Sequence, residues 1–532
     1  MACWKVMTAL TAVATLATTV GAQNPEDLKK DLDALKRQVA AQSNLIEDQA
    51  RRLSAFEKER EAGTREAAVE TEVNRLTERL AAGTTVRSAA ERLTFAGEFR
   101  FRTYWEFGDN AAGVERDGTW TSSKIRFGIL YEFTKNVAAY LDLQSTFAFG
   151  HNGHSTAAPP TLNFDPGEPI HACQAWLEVG NLFDRKEFST KVGRQSVTLG
   201  NQFQFGNADW YQGYFFDGAR YDWNDESWSL AAMWLRTTTL SGNDANQAPG
   251  YGPWNPSGPV GSGRDGHDND DFWVVYFTLK SIKDCTLDLY WIYANQNAGG
   301  TFNGSGPFSP AGGTTAGVSG LPAGTLAPAY YHTFGARFAG MADLADGFDW
   351  NVEAAYQTGT LDLVPGDVDV DGFSVEGELG LTFSKADKLR VWIRGLFAEG
   401  PSNNDTGYLP IAPNRHSNTA PFRARYGVMD VIPMSDVFAL TGGVHFDPAA
   451  DWTFGLTGVW GERDSNQPAG VDESYGFEID AWGEYRYSES LTFSGGVSFL
   501  FPDDQLDGAV AGPITFDDDT QILLWAQARL FF

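Results

Sequence analysis

Cationic side chains recur at every second position in several stretches of this chain, as Arg100 and Arg102 and again as Lys124 and Arg126. Arg390 and Arg394 stand at twice that interval, and Arg529 lies close to the C-terminus. Carboxylates follow a similar spacing: Glu353, then Glu376 and Glu378, then Glu478, Asp480 and Glu484. A period of two puts such side chains on one face of an extended strand. The chemistry they offer there is electrostatic, steering or holding ions and polar solutes rather than breaking bonds. Catalytic signatures are missing: there is no Gly-x-Ser-x-Gly, no Gly-rich phosphate loop and no His-Glu-x-x-His. His151 and His154 form a His-x-x-His without a third ligand nearby, so no metal site is expected there. Asp265 and Asp268 to Asp271, and Asp517 to Asp519, read as a solvated acidic rim. No cofactor is expected.

The elements that must position these charges are strands. From Leu93 to Trp105, Phe95, Phe99 and Phe101 alternate with Glu98, Arg100 and Arg102. Similar segments follow to the C-terminus, among them 187–199 and 211–223, giving about eighteen strands of ten or so residues. That length suits a tilted strand crossing a bilayer. The connections alternate short and long: Thr134 to Asn136 and Ser488 to Ser490 are short, while 150–170, 239–270, 296–329 and 400–435 are long. Bacterial outer-membrane barrels have short periplasmic turns and long outer loops. The fold expected is therefore all-β, an antiparallel transmembrane β-barrel over 93–532. With 17 Trp, 18 Tyr and 37 Phe, the chain also has the residues for aromatic belts at the two membrane surfaces. A net charge of −29 argues against nucleic acid as a partner.

The N-terminal part reads differently. Lys5, an apolar run to Val20 and the small residues Gly21 and Ala22 describe a signal peptide over 1–22. Residues 23–62 carry Leu32, Val39, Ile46 and Leu53 at seven-residue intervals, with Leu28, Leu35, Gln42, Gln49 and Phe56 between them. This heptad pattern predicts a short α-helical coiled coil in the periplasm, with a homotrimer favoured over a dimer. A helical linker over 63–92 would join it to the barrel. Cys173 and Cys285 fall too far apart for a disulfide.

In a membrane barrel the polar face of each strand lines the lumen. Closing the last strand on the first would gather Arg529, Arg100, Arg102, Lys124 and Arg126 into a basic arc. The carboxylates named above would lie on other parts of the wall. Facing arcs of opposite sign would set a transverse field across a constriction. The alternative is that lumen charges pair across neighbouring strands and satisfy one another.

One stretch is more specific. Lys191-Val192-Gly193-Arg194-Gln195 is followed by Phe216-Asp217-Gly218-Ala219-Arg220, after a strand containing Ala175-Trp176-Leu177-Glu178. These segments resemble the alginate export family of outer-membrane β-barrels, with Arg194, Asp217 and Arg220 at the positions of the family's motif residues. The resemblance implies an eighteen-stranded pore within one monomer, lined with charge for an acidic polysaccharide. On that basis Arg194, Asp217 and Arg220 join the lumen set. By alternation alone, Arg194 and Gln195 face opposite ways unless a bulge intervenes. The mixed wall charges here differ from the mainly arginine lining of the alginate channel. The C-terminal Phe532 also resembles the barrel-assembly signal of outer-membrane proteins.

The function expected is a passive outer-membrane channel for small charged or carbohydrate solutes, in contact with outer-membrane lipids. Two alternatives remain: an anchor tethering the periplasmic coiled coil to the cell wall, and an anion-selective trimeric porin.

Overall fold

The computed structural model describes residues 86–87, 92–108, 118–149, 168–207, 215–237, 271–296, 329–342, 347–362, 367–402, 405–411, 413–414, 425–429, 432, 434–464, 474–503 and 520–532. The expected signal peptide, coiled coil and nearly all of the linker lie outside them, as do His151, His154, Asp265, Asp268 and Asp517 to Asp519.

Eighteen strands form the wall. They are β1 (Leu93–Phe107), β2 (Gly118–Thr134), β3 (Val137–Phe149), β4 (Glu168–Gly180), β5 (Phe188–Gln195) and β6 (Phe216–Asn224). Next come β7 (Trp228–Thr237), β8 (Asp271–Leu279), β9 (Cys285–Gln296), β10 (Ala329–Ala342), β11 (Phe348–Leu361) and β12 (Val368–Phe383). The last are β13 (Leu389–Ala398), β14 (Val437–Ala449), β15 (Trp452–Glu462), β16 (Ser474–Arg486), β17 (Leu491–Pro502) and β18 (Gln521–Phe531). Each pairs antiparallel with the next, and β18 returns to β1 in a continuous ladder from Ile522 opposite Phe107 to Phe531 opposite Glu98. The sheet therefore closes and leaves no long unpaired edge. A two-residue strand, Val86–Arg87, adds to β1 beyond the end of β18.

Alternation decides which face is which. Phe101, Phe127, Leu177, Leu289, Val352 and Leu456 are exposed on the outside, where lipid would meet them. Aromatic residues gather near both ends of this outer face. On the short-turn side Trp452 stacks on Tyr485, with centroids 4.5 Å apart, and Trp223 stacks on Trp228. On the long-loop side Trp273 lies against Tyr293, and Phe438 meets Trp460 edge-on. Along β15, Trp452 and Trp460 are eight residues apart, which at ~3.4 Å per residue and a tilt of about 40° spans roughly 21 Å. That is close to the apolar thickness of an outer membrane.

The barrel ends by docking its own terminus. Phe532 exchanges backbone hydrogen bonds with Gly97, at 2.9 and 3.2 Å. Its ring packs against Phe99 and Phe127, over a glycine whose Cβ would stand 2.1 Å from that ring.

One strand expectation needs correction. The segment 187–199 stops being strand at Gln195, and residues 196–207 turn into the lumen. Val197, Leu199, Phe203 and Phe205 keep the two-residue rhythm, so alternation could not separate them from the wall. The bend comes from Gly200 and Gln202, at φ 53° and 68°, with Gln202 N–H donating to Leu199 O and Leu199 N–H to Phe205 O.

Candidate functional site

The lumen is built from the polar faces of the strands and from two outer loops folded inward. Register fixes the first part. Across β1 and β2, Glu98 faces Arg126, Arg100 faces Lys124 and Arg102 faces Ser122; across β18 and β1, Gln527 faces Arg102 and Arg529 faces Arg100. Directly opposed residues share a face. The structure thus brings Arg100, Arg102, Lys124, Arg126 and Arg529 together on one luminal arc.

The arc is not purely basic. Glu98 stands inside it, 2% exposed, and accepts from Arg529 Nε at 2.7 Å while Lys124 Nζ lies 3.9 Å from its other oxygen. Arg126 pairs with Asp142 on β3. Arg102 donates to Gln527 Oε1 at 2.9 and 2.6 Å and to the Tyr104 hydroxyl at 2.7 Å. Among the described residues, Glu98 and Asp142 are the carboxylates seen to pair within this arc of five cations.

The wall formed by β10 to β13 is closer to neutral. Arg390 bonds Asp349 and Glu378, the latter at 2.8 Å, and Arg394 donates to the other Glu378 oxygen. Arg337 joins Asp288 at 2.8 Å and Asn351 at 2.6 Å. Cross-strand pairing, the alternative weighed from sequence, accounts for these charges.

The motif residues divide between the two faces. Arg220 is luminal, opposite Lys191 and Met233 and bonded to Asp222. Arg194 and Asp217 are not, which corrects the expectation that both line the lumen. They sit directly opposite one another, in line with Ala175 on one side and Arg236 on the other, on the face that exposes Val192, Tyr221 and Trp234. Arg194 clasps Asp217 through two hydrogen bonds of 2.9 and 3.0 Å, and Arg236 clasps Asp271 through two of 2.8 Å. The result is an outward ladder of alternating charge, one rung beyond Trp234 and Trp273, where an aromatic belt gives way to headgroups. Pairing lets the arginines occupy that position at low desolvation cost. Gly193 and Gly218 permit it: a Cβ on either would lie 2.2 or 2.0 Å from a neighbouring strand's carbonyl oxygen.

The inward loops were not foreseen as site elements. Residues 196–207 pack on the inner faces of β6 to β12, with Phe205 edge-on to Phe216 and Phe272 and Gln204 bonded to Tyr290 and Tyr408. In the loop after β13, Leu409 and Ile411 join that same group, while Val428, Met429, Ile432 and Met434 lie against the remaining wall with Trp482, Trp525 and Tyr104. Gln357 on β11 holds the backbone of Leu409 in both directions, at 2.7 and 2.8 Å. The loops meet through Arg425, which donates to the carbonyls of Asn201 and Gln202 and lies 3.7 Å from Glu376. Asn414 adds two bonds to Gln202. Tyr426 hydroxyl bonds Glu376, and burial followed by that carboxylate's charge raises the phenol pKa well above its usual value. The only sequence signal for this was Arg425 in a loop that also carries Tyr408, Tyr426 and several buried aliphatic residues.

The model of the alginate export family matches residues 91–468. Among solved structures, Acinetobacter baumannii OccAB3 is similar at 12% identity and a TM-score of 0.51, over 82% of this chain and 99% of that one. Pseudomonas aeruginosa OccK8 (OprE) is similar at 12% identity and a TM-score of 0.50, over 82% and 98%. At that identity the two likenesses are of fold. No curated protein matches the sequence.

Proposed function

The chain belongs to the alginate export family, and we propose that it is an outer-membrane channel passing small charged or carbohydrate solutes passively through a narrowed, charge-lined lumen. The observation that carries this reading is the closed eighteen-stranded wall whose inner face is ionic while its outer face is apolar. A structural shell has no need of a positive luminal arc opposite a balanced one. Selectivity would come from the width left by the two inward loops and from the surplus charge of Arg100, Arg102, Lys124, Arg126 and Arg529. Aromatic rings beside the ions, such as Trp176 under Lys191 Nζ at 4.2 Å, suit the ring faces of sugars. Arg194 and Asp217 belong to the membrane-facing ladder and take no part in selection.

Residues 23–62 would form a periplasmic coiled coil that holds the channel as a homotrimer and reaches toward the cell wall, joined to the barrel through 63–92 after removal of 1–22. Deleting 24–62 should turn a trimer into monomers by light scattering in detergent, and an unchanged oligomer would remove this assembly role.

The channel itself is tested in planar bilayers under a KCl gradient. Stable single-channel steps with an anion preference that falls in Arg100→Gln or Arg126→Gln support the reading. Silence from folded, inserted protein would leave the anchor as the better account.

A further inference from the structure

Nearly every carboxylate on the inner wall named above has a cation or a hydroxyl donor beside it: Glu98, Asp142, Glu353, Glu376 and Glu378 all do. Glu478 and Asp480 on β16 are the exception. Each is 1% exposed, and they lie two residues apart on one strand and so share the luminal face. No ion pair to either is found among the described residues. Met429 N–H donates to Glu478 Oε1 at 2.8 Å. Glu478 Oε2 and both oxygens of Asp480 are buried; the two carboxyls approach each other and the Val428 N–H, and Asp480 approaches Ser498, but none of these contacts has the geometry of a normal hydrogen bond.

A second observation comes from the neighbouring strands. Ser498 on β17 and Thr457 on β15 stand directly opposite Asp480 on either side. Ser498 is fully buried with its Oγ directed at Asp480, though not in the geometry of a normal hydrogen bond. The inward loop covers the group from above, with Gly427 so close that a Cβ there would lie 2.2 Å from Glu478 Oε2. Two buried negative charges held this close need a compensating positive charge or a shared proton.

We propose that Glu478, Asp480, Ser498 and Thr457 form a site for one hard divalent cation of the calcium type, which fastens the inward loop to the β15–β17 wall. The donor atoms are all oxygen, with no thiol or imidazole to favour softer metals. The charge of two carboxylates matches a single divalent ion. Calcium takes six to eight oxygens at about 2.3–2.6 Å, so the side chains would supply most of the shell and water or loop carbonyls the rest. The ion's function is structural: it holds Gly427 to Met429 in place, and with them the adjoining Arg425 that meets the other loop. This assignment is independent of which solute uses the lumen.

The test uses the full-length protein in detergent, stripped with chelator and titrated with Tb³⁺ while exciting tryptophan, since Trp482 lies two residues from Asp480 on the same face. A saturable, calcium-displaceable emission at one ion per chain is expected, and Asp480→Asn should abolish it. Weak acidic-rim sites would remain in that variant as an unsaturated background. Ser498→Ala, which retains both carboxylates and should fold, is expected to weaken the site several-fold. Calcium should also raise the thermal midpoint of the wild type and leave that of Asp480→Asn unmoved. Emission and thermal midpoint that are the same in wild type, Asp480→Asn and Ser498→Ala would overturn the site, and the two carboxylates would then be sharing a proton.

Discussion

At the residue scale the lumen is governed by which charge each carboxylate must serve. Glu98 takes Arg529 and Lys124 at once, inside an arc that sequence alternation marked as basic. Removing its charge takes one carboxylate away from Arg529 and the buried Lys124. Glu98→Gln is expected to lose about 3 kcal/mol of stability and to shift the reversal potential further toward anions; an unchanged potential would mean that the arc does not face the ion path. The luminal placement of Arg100, Arg102, Lys124, Arg126 and Arg529 was legible because a two-residue period needs no knowledge of partners. The partners themselves were not, since pairing depends on register, and register is set by turns and closure. On the outer rim, Glu399 shows the opposite situation. Burial, then Asp405, Asp371 and Asp464, raise its pKa, while the Phe373 N–H donating at 3.1 Å lowers it. A carboxyl raised on folding binds its proton more tightly in the folded state, so its ionisation lowers stability as pH rises through the folded pKa. Glu399→Gln should therefore raise the thermal midpoint at neutral pH, and the gain should vanish below the unfolded carboxylate range. A gain that persists in acid would point to a steric cause.

At the scale of elements, strand existence followed from the two-residue alternation, and strand ends did not. The end of β5 was missed because Val197, Leu199, Phe203 and Phe205 alternate as wall residues do, while inside the barrel Val197, Leu199 and Phe205 cluster with Phe216 and Phe272 and Phe203 stacks on Tyr408. The facing of Arg194 and Asp217 was also open from sequence, and the outward ladder they join makes a distinct prediction. Arg194→Ala and Asp217→Ala in a double-mutant cycle should show a coupling below about 1 kcal/mol, as for part-exposed pairs, with no change in ion selectivity. A selectivity shift would return the pair to the lumen. The last strand offers a sharper case. Phe532 closes on Gly97, so Gly97→Val must displace the ring or the Arg126 carbonyl, which a Cβ would approach to 2.7 Å. The folded, heat-modifiable fraction after refolding into detergent should fall sharply in Gly97→Val, and Phe532→Ala should fall similarly. Normal yields from both would leave the terminal ring without a role in closure.

For the whole molecule, the narrowing of the lumen comes from two loops packed on the inner wall and on each other. There are two apolar clusters, one around Phe205, Phe216 and Phe272 and the other around Val428, Met434 and Trp482. Both clusters mix the two loops: Phe203 of the first sits with Tyr408 and Val428 of the second, and Leu409 and Ile411 of the second sit with Phe205 of the first. Arg425 adds a polar bridge between the loops through Asn201, Gln202 and Glu376, with Asn414 beside it. Arg425→Ala removes a buried cation from between two loop backbones and leaves both apolar clusters untouched. The global unfolding midpoint should drop only modestly, because strand pairing and the clusters persist. The loops should instead separate in the lumen, raising single-channel conductance and adding rapid fluctuations to the open state. Arg425→Lys keeps the charge but lacks the planar fork that reaches two carbonyls and a carboxylate together, so it should fall between alanine and wild type. If both variants conduct as the wild type does, the clusters alone position the loops and the Arg425 bridge has no part in setting pore width.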